Sequence, residues 1–301
     1  MNTRELLKQA ARELREAGVP DPEYDSAVLL SRVMDVPPLQ LRLGFTEPTE
    51  EQLNRFRELM NRRLKREPLQ YIEGKAVFHR QEYAVRPGAL IPRPETEGLV
   101  SWAAERAERW FRTQAPGNAK PLSGLRVLDL CCGSGCIGIS LKDMFREAPL
   151  ELTLTDMSPD ALDIARENAE RHGIACEILQ GDLFAPLEGR RFDMILSNPP
   201  YIPSSECDTL QDEVKREPRM ALDGGPDGMD FYRRIAEEAP KHLKPGGIVI
   251  LEMGFGEAEA IRRLMETHSA VRTETRRDEA GIERILLAEY EMKKQEKDTH
   301  V

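Results

Sequence analysis

The sequence predicts an α/β protein with a mostly parallel sheet covered by helices on both faces, an antiparallel C-terminal edge and a small helical bundle in front. Three observations carry this. From Arg126 onward, short apolar runs alternate with helical patterns five or six times, the spacing of parallel strands joined by crossover helices. Before Pro68 the apolar residues recur only at helical spacing. Near the end, Ile282 to Ala288 follows Ala270 to Thr275 closely, which reads as an antiparallel edge pair.

In the bundle, Leu6, Leu7, Ala10, Ala11 and Leu14 predict a helix over 2–17, with Thr3 as cap and Gly18-Val19-Pro20 as stop. A second helix starts at Asp21-Pro22, cap then first-turn proline, and buries Ala27, Leu30 and Val33. A third opens at Thr49, where Gln52 completes a capping box, and buries Leu53, Phe56, Leu59 and Leu64 before Pro68 ends it. That helix and its end carry Arg55, Arg57, Arg62, Arg63, Lys65 and Arg66, either a solvated face or a contact face for a partner. Tyr71 to Ile91 reads as short β pieces around Gly74 and Gly88, a linking hairpin. Pro94 then opens a helix running to about Phe111, and 112–123, with Pro116-Gly117-Asn118, reads as a loop. Strands follow at 126–130, 151–155, 176–180, 192–197 and 247–252, with helices near 136–146, 158–172, 229–240 and 256–268. The charged stretch 289–301 reads as a frayed tail.

At 301 residues, 40% hydrophobic and 32% charged, the chain has room for two domains, and no apolar run approaches twenty residues. A soluble protein is expected. The first fourteen residues lack the apolar core of a secretory signal, so a cytoplasmic location is expected, with no membrane partner. A net charge of -10 argues against stable nucleic-acid binding, which needs a basic footprint. Cys131, Cys132, Cys136, Cys176 and Cys207 are odd in number and lack the spaced histidines of a zinc site, so no metal is expected.

Chemistry concentrates at the ends of the predicted strands. Val127 to Leu130 runs into Cys131-Cys132-Gly133-Ser134-Gly135, a glycine turn that lets a ligand approach the backbone where open α/β sheets bind ligands. Asp129 sits in that run. The next strand ends at Asp156, whose carboxylate can take both hydroxyls of a ribose. The third ends in Gly181-Asp182-Leu183-Phe184, where Asp182 can accept from an adenine amino group and Leu183 can cover the ring. The fourth ends in Asn198-Pro199-Pro200-Tyr201. Two prolines remove N–H donors and hold the backbone extended, so this corner offers only acceptors: the Asn198 side-chain oxygen and the Pro199 carbonyl. Such a pair takes both hydrogens of a planar NH₂ group, with Tyr201 supplying an aromatic face.

Taken with Ile91-Pro92-Arg93-Pro94-Glu95-Thr96-Glu97 and the segment Glu217 to Gly228, these motifs resemble the class I S-adenosylmethionine-dependent methyltransferases, most closely the HemK/PrmC family. The resemblance covers nearly the whole chain and implies a Rossmann-like seven-stranded methyltransferase sheet. It implies methylation of the side-chain amide nitrogen of glutamine in the Gly-Gly-Gln motif of class I peptide chain release factors, supporting translation termination, with S-adenosyl-L-methionine as cofactor. By the same resemblance Asn198, Pro199 and Tyr201 are catalytic, and Asn198, Pro199, Pro200, Tyr201 and Arg93 bind substrate. Asp129, Cys131, Cys132, Gly133, Ser134, Gly135, Asp156, Asp182, Leu183 and Asn198 hold the cofactor. The implied domains are a helical substrate-recognition domain over 1–70, a hairpin linker over 71–92, the methyltransferase domain over 93–290 and a flexible tail over 291–301. The family usually has glycine where Cys131 stands, and a cysteine fits there if its φ stays negative. The alternatives are a glutamine methyltransferase of a ribosomal protein, an adenine-N6 DNA methyltransferase, which meets the same NH₂ on a flipped base, and a non-catalytic adaptor.

Overall fold

A computed structural model describes residues 2–44, 47–114 and 124–291. It divides into two compact units: Met1–Ala76 with Val85–Pro87 and Leu210–Arg216, and Val77–Ala84 with Gly88–Thr209 and Glu217–Val301.

The first unit is helical. Helix α1 (Thr3–Glu16) is capped by Asn2, whose side chain accepts from the Glu5 N–H at 2.9 Å. The expected cap, Thr3, is instead buried and donates its hydroxyl to the Leu41 carbonyl. Helix α2 (Pro22–Met34) begins at the predicted proline, but Asp21 makes no capping hydrogen bond. A short helix α3 (Pro38–Leu43), opened by Pro37-Pro38, was not expected, since its single buried position, Leu41, leaves no periodic signal. The helix predicted from Thr49 is α4 (Glu50–Leu64), and its capping box forms, Thr49 N–H to Gln52 at 2.9 Å and Gln52 N–H to Thr49 at 3.2 Å. Phe56 and Met60 are buried in the common core, against which Leu53, Leu59 and Leu64 pack part-exposed. Pro68 does not lead directly into β structure: it starts helix α5 (Leu69–Glu73), since its missing N–H costs nothing at a helix start.

The basic residues of α4 do not form one solvated face. Arg63 is buried, its guanidinium on Asp25 at 2.6 Å and Glu213 at 2.8 Å. Arg66 donates to the same Glu213 at 2.7 Å, and Arg62 pairs with Glu67. Two of the expected contact arginines thus tie Leu210–Arg216 into the helical unit.

Strands β1 (Lys75–Phe78) and β2 (Gln81–Ala84) form the predicted hairpin, but its turn is His79-Arg80, not a glycine. Both residues have positive φ, +48° and +64°, the pattern of the two-residue turns that suit strand twist. The His79 N–H finds the Glu97 carboxylate at 2.9 Å.

In the second unit, the 3₁₀ turn Pro94–Thr96 leads into α6 (Glu97–Gln114), three residues longer than predicted. Residues 115–123 of the predicted loop lie outside the described residues. Then come β3 (Leu125–Leu130), α7 (Cys136–Met144), β4 (Leu150–Asp156), α8 (Pro159–His172), β5 (Glu177–Gln180), β6 (Phe192–Ser197), α9 (Asp230–His242), β7 (Leu243–Glu252), α10 (Ala258–Thr267), β8 (Ala270–Arg277) and β9 (Glu283–Tyr290). They build a seven-stranded sheet in the order β5-β4-β3-β6-β7-β9-β8, parallel up to β7. Strand β9 runs antiparallel between β7 and β8, so the C-terminal strand is internal. Glu289 and Tyr290 accordingly belong to this strand rather than to a tail, and 292–301 lie outside the described residues.

Both faces of the sheet are buried. Val127, Met194, Leu196, Ile248, Ile250 and Leu287 point to one core, while Leu128, Leu130, Ile195, Val249, Leu251 and Leu286 point to the other. This period-two division explains why the strands read as continuous apolar runs instead of alternating ones. Each such leucine contributes roughly 1.5–3 kcal/mol on burial. Among the described residues, no helix is long and apolar enough to cross a membrane.

Candidate active site

The sheet changes direction between β3 and β6. The chain leaves β3 for β4 and β5 on one side, then returns to β6 and continues to β7 on the other. A crevice opens at the carboxyl ends of strands at such a point. Here a cavity is lined by the turn after β3, by Thr155 and Asp156 of β4, by Gly181 to Leu183 after β5, and by Asn198 and Pro200 after β6.

The glycine turn is shaped by backbone sterics. Cys131 has φ +58°, so it adopts the left-handed conformation and the condition of a negative φ is not met. The cause is the sharp exit from β3, which lets the Cys132 N–H reach the Thr155 carbonyl at 2.9 Å. A side chain in this conformation costs roughly 1–2 kcal/mol. Gly133 follows at φ +53°, and a Cβ there would meet no atom within 4 Å, so the missing side chain leaves open space at the turn. Gly135 does not line the cavity. It caps α7, and a Cβ would stand 2.9 Å from Ile139 Cδ1. Cys131, Cys132 and Ser134 do line it, and burial raises the cysteine thiols, that of Cys136 to about 12, so they stay protonated.

Asp129 lies beneath the turn, fully buried and off the cavity wall, its Oδ2 accepting the Gly138 N–H at 2.8 Å. Burial raises its carboxyl to about 7, against the lowering effect of that N–H. Its Oδ1 and the Thr155 hydroxyl are buried without a hydrogen-bond partner among the described residues. Asp156 accepts the Gly133 N–H on Oδ2 and the Ser158 N–H on Oδ1, each at 2.9 Å. Each oxygen keeps a lone pair for a ligand. Burial raises this carboxyl despite those bonds. Asp182 is half-exposed and its Oδ2 pairs with Arg234 of α9 at 2.7 Å, a partner the sequence did not suggest. Leu183 is buried in left-handed conformation, φ +49°.

Of the corner, Asn198 and Pro200 line the cavity. Pro199 is buried and does not, and the Tyr201 ring packs against the second core, where burial raises its phenol. The segment 222–228 supports the corner from behind. The Ile202 N–H donates to the Leu222 carbonyl at 2.9 Å and the Gly224 N–H to the Ile202 carbonyl at 2.8 Å. A Cβ on Gly224 would stand 2.7 Å from Tyr201 Cα, and one on Gly228 2.4 Å from the Tyr201 carbonyl. These glycines therefore permit close backbone approach. Met220 and Ala221, just before them, line the cavity. Arg93 also lines it, its guanidinium held by buried Glu217, whose Oε2 accepts the Ile91 N–H at 2.9 Å.

Similarity to known proteins agrees with this geometry. The PrmC N-terminal domain family matches residues 5–74, and the methyltransferase small domain matches residues 118–225. A release factor glutamine methyltransferase of Geobacter sulfurreducens is 39% identical over 285 residues, covering 94% of this chain and 95% of the relative. The chain belongs to the release factor glutamine methyltransferase family. Another member, from Bacillus cereus, is 36% identical over 298 residues, 97% of this chain and all of the relative. The solved hMettl16 catalytic domain, in complex with MAT2A 3'UTR hairpin 6, shares the fold at TM-score 0.51 and 12% identity, over 71% of this chain and 76% of that one.

Several residues of this family member's cavity escaped the sequence reading. Thr96, Met157 and Phe231 line it, and Thr96 lies inside a stretch already singled out. Its partner there is Glu252 at the end of β7, which receives the Thr96 hydroxyl at 2.5 Å. Glu252 carries no motif signal, and the motif that contains Thr96 does not show their pairing, which spans 156 residues of chain.

Proposed function

We propose that this enzyme transfers the methyl group of S-adenosylmethionine to the side-chain amide nitrogen of the glutamine in the Gly-Gly-Gln motif of class I peptide chain release factors, in the cytoplasm. The observation that carries the reading is Asn198, held at the cavity wall on the strand end beside the glycine turn. The helical unit, with no chemical motif of its own, serves recognition of the protein substrate.

The residues present fit the cofactor. Gly133 leaves space where a side chain would stand, on the wall that Thr155 and Asp156 share. Asp156 has an open lone pair on each oxygen for two ribose hydroxyls, Asp182 keeps Oδ1 for an amino group, and Leu183 and Met157 supply apolar cover. When bound, the cofactor supplies a sulfonium-activated methyl group. What remains for the protein is to orient a weak nucleophile, since the amide lone pair is delocalised into its carbonyl. The Asn198 oxygen accepts an N–H hydrogen of the glutamine, and the adjoining Pro199 carbonyl, which lies off the cavity wall, is the second acceptor that the family resemblance implies. This aims the nitrogen and stabilises the positive charge it gains as the N–C bond forms and the C–S bond breaks. No strong base is required, because the N–H proton becomes acidic only as the methyl group arrives and then leaves to water.

The test is incubation with methyl-labelled S-adenosylmethionine and a release factor, a ribosomal protein fraction or duplex DNA, followed by mapping of the labelled residue. Label on the Gly-Gly-Gln glutamine is expected. Label only on a ribosomal glutamine or on adenine would overturn the reading.

A further inference from the structure

Thr96 and Glu252 are both 2% exposed, and the Thr96 hydroxyl donates to Glu252 Oε2 at 2.5 Å. With Glu252 ionised this is a charge-assisted hydrogen bond that holds the Thr96 hydrogen. A hydroxyl has a single hydrogen, so Thr96 faces its other neighbour with lone pairs only. That neighbour is Asn198, whose Nδ2 donates to Thr96 Oγ1 at 3.4 Å. A carboxamide has one donor end and one acceptor end. With the nitrogen directed at Thr96, the oxygen is the end left for a ligand.

We propose that Glu252 and Thr96 are positioning residues that decide which end of the Asn198 carboxamide meets the substrate: Glu252 takes the Thr96 hydrogen, and Thr96 takes an Asn198 N–H, so that the oxygen is presented. This rests on the reading of Asn198 as acceptor for the glutamine N–H. When Glu252 carries a proton it donates to Thr96 instead, the Thr96 hydrogen turns to Asn198, and the carboxamide rotates to accept it. An NH₂ group then faces the NH₂ of the substrate.

The relay is pH-sensitive because of where Glu252 lies. Burial raises its carboxyl to about 7, with the Thr96 hydroxyl, Arg284 and Arg93 pulling it down and Glu95 pushing it up. Tyr201, Tyr232 and Cys136 also face it, all neutral, since burial raises each of them. Tyr232 touches only the backbone, donating to the Glu252 carbonyl at 2.9 Å. The acceptor form of the corner is therefore lost as pH falls through about 7.

Wild type, Thr96→Val, Thr96→Ser, Glu252→Gln and Asn198→Ala are compared for kcat/KM on a Gly-Gly-Gln acceptor from pH 5.5 to 9, with cofactor Kd by calorimetry. Thr96→Val is expected to lose at least tenfold in kcat/KM with cofactor Kd within about twofold, and Thr96→Ser to stay within about threefold of wild type. Wild type is expected to fall about tenfold per pH unit on the acid side of 7, a limb that Glu252→Gln lacks. Equal loss in Thr96→Ser and Thr96→Val, or an acid limb unchanged in Glu252→Gln, would overturn the relay; the latter decides even where Thr96→Val does not fold. Full activity in Thr96→Val beside an inactive Asn198→Ala would remove the relay alone, whereas full activity in Asn198→Ala would remove the reading beneath it.

Discussion

Asn198 shows how little chemistry a single side chain must supply when its neighbours hold it. It lines the cavity with its nitrogen donating to Thr96 at 3.4 Å, and under the proposed function its loss removes an acceptor from the reacting amide. Asn198→Ala is therefore expected to retain the fold while kcat on the release factor falls by at least 10²-fold, the scale of one oriented electrostatic group; urea denaturation and single-turnover kinetics check both halves. Cys131 poses the opposite case, a side chain where the backbone favours none. Replacing it by glycine relieves roughly 1–2 kcal/mol of left-handed strain, against roughly 0.4–1 kcal/mol of added unfolded-chain entropy and the contacts of a half-buried thiol. Cys131→Gly is expected to be at least as stable as the parent in urea denaturation, and a β-branched Cys131→Val clearly less so.

At the scale of elements, two segments depend on partners far along the chain. Leu210–Arg216 joins the helical unit through Glu213, which meets Arg63 and Arg66 beside Asp25. Burial raises Asp25 against the pull of Arg63, whereas for Glu213 the two arginines outweigh burial and the carboxyl is lowered. The cluster is balanced only while Arg63 is present. Arg63→Met leaves buried carboxylates without their cation and is expected to cost about 3–5 kcal/mol, read as a shift in the urea midpoint of the helical unit. The segment 222–228 depends on glycine for a different reason, since Gly224 and Gly228 lie against the backbone of Tyr201 with no room for a Cβ.

Over the whole molecule, the titration of buried carboxyls shapes the response to pH. Asp129, Glu252 and Glu257 are each raised by burial to about 7. A raised folded-state value means the native form holds a proton that the unfolded chain has already released. The stability this provides is complete below about pH 4 and is lost as pH rises through 7. Glu67 and Glu213, lowered by their arginine partners, act in the opposite sense and lose their contribution as the solution becomes acidic. Asp129→Asn removes one raised group, so its stability relative to wild type is expected to be more favourable at pH 8 than at pH 5 in parallel urea titrations. A relative stability that is flat across that range would show that Asp129 does not titrate between them.

The sequence by itself determined the layered α/β sheet, the capping box at Thr49, the glycine turn and the proline corner after β6, because each is written in residues adjacent along the chain. Period-two burial, proline without its N–H and glycine without its Cβ act over a few positions and need no distant partner. Only the tertiary structure decided the left-handed φ of Cys131, the removal of Tyr201 from the cavity, the Arg234 partner of Asp182, the burial of Arg63 and the Glu252–Thr96–Asn198 chain. In each of these the controlling contact joins residues from separate elements, and local propensity carries no record of which strand end or helix face will be brought alongside.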